Sequence, residues 1–174
     1  MKWTLKLCNI IDEPADVLIC SANVLLDLSD GVAADLLGRY GSTMQEALHK
    51  ITAARSPHYV SRGEVFPYTD GTLPYKAILH AVAVDSFYQS TPEVIENIVR
   101  SALQQAKGYQ AKRVTLTALA TGLGNLSLPE FASGVRPLMD ENFSPVEEGC
   151  ICLMEDYRLR ELAKHLPKAI VISK

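Results

Sequence analysis

Val114-Thr115-Leu116-Thr117-Ala118-Leu119-Ala120-Thr121-Gly122-Leu123-Gly124-Asn125-Leu126-Ser127-Leu128-Pro129-Glu130 reads as a buried strand, a glycine-bearing turn and a helix start, in that order. The run Val114–Ala120 is apolar on both faces, as the central strands of a parallel sheet are. Ser127 and Glu130 stand at capping-box spacing, with Pro129 early in the first turn, where a missing N–H is tolerated. A strand that turns into a helix at the carboxyl edge of a sheet presents main-chain N–H groups at the positive end of that helix. Phosphate oxygens bind such groups without a lysine. The turn by itself fits a bound anion and an empty strand-to-helix connection equally well.

A second stretch has the same build. The strand Val17–Ser21 leads into Ala22-Asn23-Val24-Leu25-Leu26-Asp27-Leu28-Ser29-Asp30-Gly31-Val32, and a helix is expected from Gly31 to Tyr40. Asn23 at a strand end can donate and accept, which suits a ribose hydroxyl pair, or can close an Asx-turn. Two such loops in one small chain predict a pocket that holds a diphosphate from both sides. Neither loop carries the Gly-Lys-Ser/Thr of a Walker motif or the glycine triplet and following acid of a dinucleotide fold. No cofactor is therefore expected.

The rest of the chain alternates in the same way. Further strands are expected at Trp3–Cys8, Glu64–Phe66, Ala77–Val84, Gly149–Met154 and Ala169–Ile172, and further helices at Thr43–Thr52, Pro92–Lys107, Pro129–Asp140 and Tyr157–His165. Ser42-Thr43-Met44-Gln45 also has capping-box spacing, and Thr91-Pro92-Glu93 opens a long amphipathic helix that Gly108 ends. Alternation of this kind predicts an α/β fold, a sandwich with helices on both faces of one sheet. At 174 residues with no linker, repeat or low-complexity run, one domain over 1–174 is expected.

Composition narrows the function. Hydrophobic residues at 48% and charged residues at 21% describe a chain with a real core, and a formal charge of −3 supplies no basic footprint for nucleic acid. No run approaches the roughly 20 apolar residues that span a bilayer, and the N-terminus alternates as a strand does, so a cytoplasmic protein without membrane contact is expected. Cys8, Cys20, Cys150 and Cys152 sit in apolar runs without C-x-x-C spacing and read as core thiols, with no metal site expected. His80 lies within an apolar strand and reads as a core histidine. His49, His58 and His165 lack any matching nucleophile or ligand spacing.

Taken in order, Cys8-Asn9-Ile10, Ala22-Asn23-Val24-Leu25-Leu26-Asp27, Gly31-Val32, Arg62-Gly63-Glu64-Val65, Ile78-Leu79-His80-Ala81-Val82 and Thr121-Gly122-Leu123-Gly124-Asn125 resemble the macrodomain family, whose members bind ADP-ribose. The resemblance runs over nearly the whole chain. It implies a three-layer α/β/α sandwich with a mixed central sheet. It also implies a ligand set: Asn9 and Ile10 on the adenine, Asn23 with Ala22 beside the distal ribose, Asp30, Gly31 and Val32 under one side of the diphosphate, and Thr121, Gly122, Leu123, Gly124 and Asn125 over the other. Tyr157 is a candidate to stack on the adenine, and packing under the last helix accounts for it equally well.

Three positions depart from the family pattern. Asn9 stands where the family has an adenine-reading acid, so the bond to the adenine amino group loses its charge assistance. Leu28-Ser29-Asp30 replaces a glycine run, and Asp30 is expected to cap the following helix. Ala33 stands where the hydrolytic branch has an acid. The implied partners are ADP-ribose or a related nucleotide, free or attached to a protein. Alternatives on the same fold are an ADP-ribosyl hydrolase or O-acetyl-ADP-ribose deacetylase, with Asn23 as the candidate catalytic residue, and a degenerate interaction module. Asp27 and Asp30 are the acids near enough to replace the missing one, and both read more simply as solvated loop acids.

Overall fold

The polypeptide alternates strand and helix because its apolar residues switch between periods of two and 3.6. The computed structural model describes residues 1–173. In chain order the strands are β1 (Lys2–Leu7), β2 (Val17–Ala22), β3 (Val65–Tyr68), β4 (Ala77–Val82), β5 (Arg113–Thr117), β6 (Glu148–Leu153) and β7 (Ile170–Ile172). The helices are α1 (Gly31–Tyr40), α2 (Thr43–Ala53), α3 (Pro92–Gly108), α4 (Leu128–Val135) and α5 (Asp156–His165). Short 3-10 turns occupy Ile10–Asp12 and Arg136–Asp140.

One seven-stranded sheet orders them β3-β4-β2-β5-β6-β1-β7. Every pairing is parallel except β3 with β4, so the sheet is mixed as expected. Side chains alternate between its faces. Val17 and Ile19 of β2 enter one core with Leu79, Leu116 and Ile151, covered by Ile98 and Leu103 of α3, Phe131 of α4 and Leu162 of α5. Leu18, Cys20 and Ala22 enter the other core with Ile78, Val82 and Cys152, covered by Leu36 of α1 and Met44 and Leu48 of α2. Helices on both faces make three layers, an α/β/α sandwich.

The expected elements are present, and most ends agree within a residue or two. Three local expectations fail for stated reasons. The strand from Val114 ends at Thr117, where its pairing with β6 stops at Cys152, and Ala118–Ala120 turn away instead. The helix expected over Pro129–Asp140 breaks after Val135, because Pro137 has no N–H for the α ladder, and continues as a 3-10 turn. Ser42 forms no capping box: it is itself helical in φ and ψ, and its hydroxyl bonds Glu46 at 3.0 Å. The box at Ser127 and Glu130 forms in full, and Thr91 caps α3.

The thiols behave as apolar side chains. Cys20, Cys150 and Cys152 are buried, and Cys150 and Cys152 put their sulfurs on one face of β6, 3.9 Å apart. His80 is fully buried on β4, with Nδ1 3.4 Å from Cys20 Sγ and no partner for Nε2 among the described residues. Burial pushes its pKa down to about 4.

This sets the sign of a pH effect. As acid is added, the unfolded imidazole, titrating near its ordinary value of about 6.5, takes up a proton before the folded one does. The contribution of His80 to stability is whole above about pH 6.5 and is lost between there and about pH 4. Denaturant melts across this window are expected to show a loss on the order of 2 kcal/mol. A His80→Gln variant is expected to have the flatter slope; equal slopes would show that another group carries the effect.

Candidate functional site

β2 and β5 lie side by side and parallel in the middle of the sheet, so both deliver the chain to the same carboxyl edge. Ligands settle at that edge in open α/β sheets. The loop after β2 and the loop after β5 meet across one cleft of about 330 Å³. Ala22, Asn23, Asp30, Gly31 and Val32 line one wall, and Thr121, Gly122, Leu123 and Gly124 line the other. The two stretches singled out in the sequence are thus brought together.

The first loop is held by its own asparagine. Asn23 Oδ1 accepts from the N–H groups of Leu25 at 3.0 Å and Asp27 at 3.2 Å, while Nδ2 donates to the Asp27 carbonyl at 3.3 Å. The Asx-type reading of Asn23 is the one its hydrogen bonds support, and it lines the cleft as well. Leu26 and Leu28 are fully buried and anchor the loop into the α1/α2 core. Gln45 of α2 reaches across to it, accepting from Leu28 N at 2.6 Å and donating to the Leu26 carbonyl at 2.9 Å. That engagement is why Gln45 is absent from the expected capping box.

Asp30 occupies the position before α1, in extended conformation, but its side chain makes no cap bond. It accepts from Ser29 Oγ at 3.2 Å instead and stays exposed. The expected cap is therefore not made, and no side-chain cap covers the first-turn N–H groups of α1. Gly31 follows at φ +56°, a left-handed conformation that glycine adopts without strain.

The second loop is held from three sides. Thr121 donates from N and Oγ1 to the Ala118 carbonyl, at 3.2 and 2.7 Å. Arg158 of α5 places Nη2 on both the carbonyl and the hydroxyl of Thr121, the former at 3.1 Å. Asn125 faces away from the cleft: its Oδ1 accepts from Ser90 N at 2.7 Å, and its N–H donates to the Tyr88 carbonyl. The two glycines differ. A Cβ on Gly124 would stand 2.4 Å from the Ala120 carbonyl oxygen and 2.9 Å from Val84 Cγ1, whereas one on Gly122 would meet nothing. Gly124 is needed for packing. Gly122 leaves its backbone bare at the opening.

Strain collects at this edge. Leu26, Tyr88 and Ala120 all have φ between 54° and 61°, and each lies in a loop bordering the cleft. A non-glycine residue there costs on the order of 1 kcal/mol, which surrounding contacts must hold in place.

Asn9 and Ile10 are not among the lining residues. Asn9 caps the 3-10 turn through Ile11 N at 3.1 Å and borders a separate shallow hollow with Asp35 and Arg39; Ile10 is buried in the core. Tyr157 is 71% exposed, so packing under α5 does not describe it, and it is not among the residues lining the cleft. Residues that sequence reading passed over are Val84 and Tyr88 after β4, and Met154, Glu155 and Arg158 after β6. The strand order carries the missing signal, because β4 and β6 flank β2 and β5 and must end at the same edge.

The sequence profile of the Macro domain family matches residues 19–134, from β2 through most of α4. The chain belongs to the macro domain family. An uncharacterized protein of Pyrobaculum aerophilum is 27% identical over 115 residues, which cover 66% of this chain and 62% of that protein. The matched stretch thus spans about three fifths of that relative's length. Among solved structures, a mutant Oceanobacillus iheyensis macrodomain with ADPR superposes with a TM-score of 0.80 at 19% identity, covering 94% of this chain and 90% of that one. A Trypanosoma brucei macrodomain in complex with ADP-ribose gives 0.76 at 17% identity, covering 93% and 68%. At such identities the likeness establishes the fold. No helix among the described residues of this macrodomain is long and apolar enough to cross a membrane.

The glycine geometry yields a stability test. Gly124→Ala is expected to cost about 2 kcal/mol or more, since backbone rather than a flexible side chain blocks the new methyl. Gly122→Ala is expected to stay within roughly 0.5 kcal/mol of the parent. Thermal melts of the two variants side by side would reveal an error in this assignment if their order were reversed.

Proposed function

We propose that this macrodomain binds ADP-ribose or a closely related nucleotide, with the diphosphate held between the two loops. The observation that carries the proposal is the meeting of the β2 and β5 loops across one cleft, with the start of α1 free of any side-chain cap on one side and bare Gly122 on the other. Main-chain N–H groups at a helix start attract phosphate oxygens. Relatives of the same fold carry ADPR and ADP-ribose in their structures, which supports the choice of ligand.

In this reading Asp30, Gly31 and Val32 run under one side of the diphosphate through their backbone, and Thr121, Gly122, Leu123 and Gly124 over the other. Asn23 and Ala22 stand at the ribose end, where Asn23 keeps one amide hydrogen beyond those its loop uses. Val32, Ala33 and the segment Cys152–Met154 give the cleft apolar lining, and this reading assigns the adenine to them. Met154, 64% exposed there, offers a polarizable surface to a ring. Asn9, Ile10 and Asn125 do not line the cleft, and this reading gives them no ligand contact.

Isothermal titration with ADP-ribose is expected to show binding. Gly122→Val is expected to weaken it at least tenfold, a change of about 1.4 kcal/mol, with the melting temperature unchanged, because the new side chain meets no protein atom near its Cβ and fills the mouth of the cleft. Equal affinity in the two proteins rules out the cradle.

A second reading, cleavage at the distal ribose, rests on one observation: Asp27 and Asp30 both line the cleft. Against it, buried Ala33 stands where the hydrolytic branch has its acid, and Asn23 is tied into its own loop. Mono-ADP-ribosylated protein is expected to remain intact over many hours with the parent. Release that disappears in Asp27→Asn or Asp30→Asn would replace binding by hydrolysis as the function.

A further inference from the structure

The charges around the cleft are lopsided. Asp27, Asp30 and Glu155 line it, and Arg158 is the only cation among its described lining residues. A diphosphate carries negative charge and is repelled by these three exposed carboxylates, an interaction that salt screens. Neutral N–H groups offset part of that repulsion. They do not reverse its sign.

Among the described arginines, Arg136 and Arg158 pair with no carboxylate, and of the two only Arg158 lines the cleft. Arg39, Arg55, Arg62, Arg100, Arg113 and Arg160 each pair with a carboxylate. Arg158 pairs with none among the described residues. Its bonds go to the neutral Thr121 carbonyl and hydroxyl, both through Nη2. A guanidinium has five N–H donors, so Nη1 and Nε keep theirs, and its charge is left without a counter-ion at the wall of the cleft.

We infer that Arg158 is a ligand-binding residue of this site: its guanidinium supplies the positive charge that admits a diphosphate, while the same group latches the second loop through Thr121. The inference rests on the nucleotide reading above and adds to it a specificity. The cleft selects ligands that bring an anionic group to Arg158 and Thr121.

Charge and latch are separable by substitution. Arg158→Gln removes the charge and keeps an amide donor for the Thr121 carbonyl; Arg158→Lys keeps the charge and loses the planar fork. ADP-ribose is titrated into the parent and both variants at low and high sodium chloride, after melting curves have shown all three folded. The parent is expected to bind more weakly as salt rises. Arg158→Gln is expected to bind about tenfold more weakly at low salt, the size of one charge-assisted hydrogen bond, and to lose none of that remaining affinity as salt screens the three carboxylates. Arg158→Lys is expected to remain within about threefold of the parent and to keep its salt response. Parent-like affinity in Arg158→Gln, or an Arg158→Lys as weak as Arg158→Gln, overturns the inference and leaves Arg158 as a latch at most. A parent that binds no ADP-ribose at any salt overturns the nucleotide reading itself, so the two failures are told apart.

Discussion

The parallel pairing of β2 with β5, Val17 to Val114 and Ile19 to Leu116, is the constraint on which the rest of this molecule depends. Adjacent strands lie about 4.8 Å apart, and parallel ones finish at the same edge. Loops separated by nearly a hundred residues in the chain are thereby set face to face. Both strands are buried on both faces, which fixes their register: a slip by one residue would send Leu18 and Cys20 into the wrong layer. The cleft inherits its dimensions from that pairing.

Within this frame, the loops are kept in conformations they would not hold alone. Leu26 and Ala120 sit in the left-handed region, the first secured from α2 and the second by residues further along its own loop. Leu26 is buried and bonded by Gln45; Ala120 accepts from Leu126 N and stands against Gly124, which has no room for a side chain. Such strain persists only where neighbours over-determine it. Gln45, Leu26 and Leu28 shape the site without facing it, whereas Asn23, Ala120, Thr121, Gly124 and Arg158 do both.

That division explains what was legible in the sequence. Strand ends adjoining glycine are visible as the point where an apolar run stops, so Ala22, Gly31, Thr121 and Gly122 could be placed at the edge from their own neighbourhoods. The layers followed from alternation in β2 and from the amphipathic pattern of α3. Arg158 and Tyr88 were not visible, because their approach depends on which strands flank β2 and β5, and strand order is not a local property. Asn9 and Asn125 show a second local ambiguity. An amide that can serve a ligand serves a backbone N–H just as well, and here each bonds one, Ile11 and Ser90 respectively. Asp30 was read as a cap from its type and position, yet its carboxylate turned to the neighbouring hydroxyl of Ser29.

Gln45 gives the first loop something no residue inside it provides. Its carboxamide accepts from one peptide group and donates to the one just before it, imitating a single rung of a β-ladder where no strand exists. The contour of the ligand-facing edge is thus written partly from α2, on a helix that does not border the cleft. Sequence drift at one position of that helix can remodel the opening while every residue lining it stays the same.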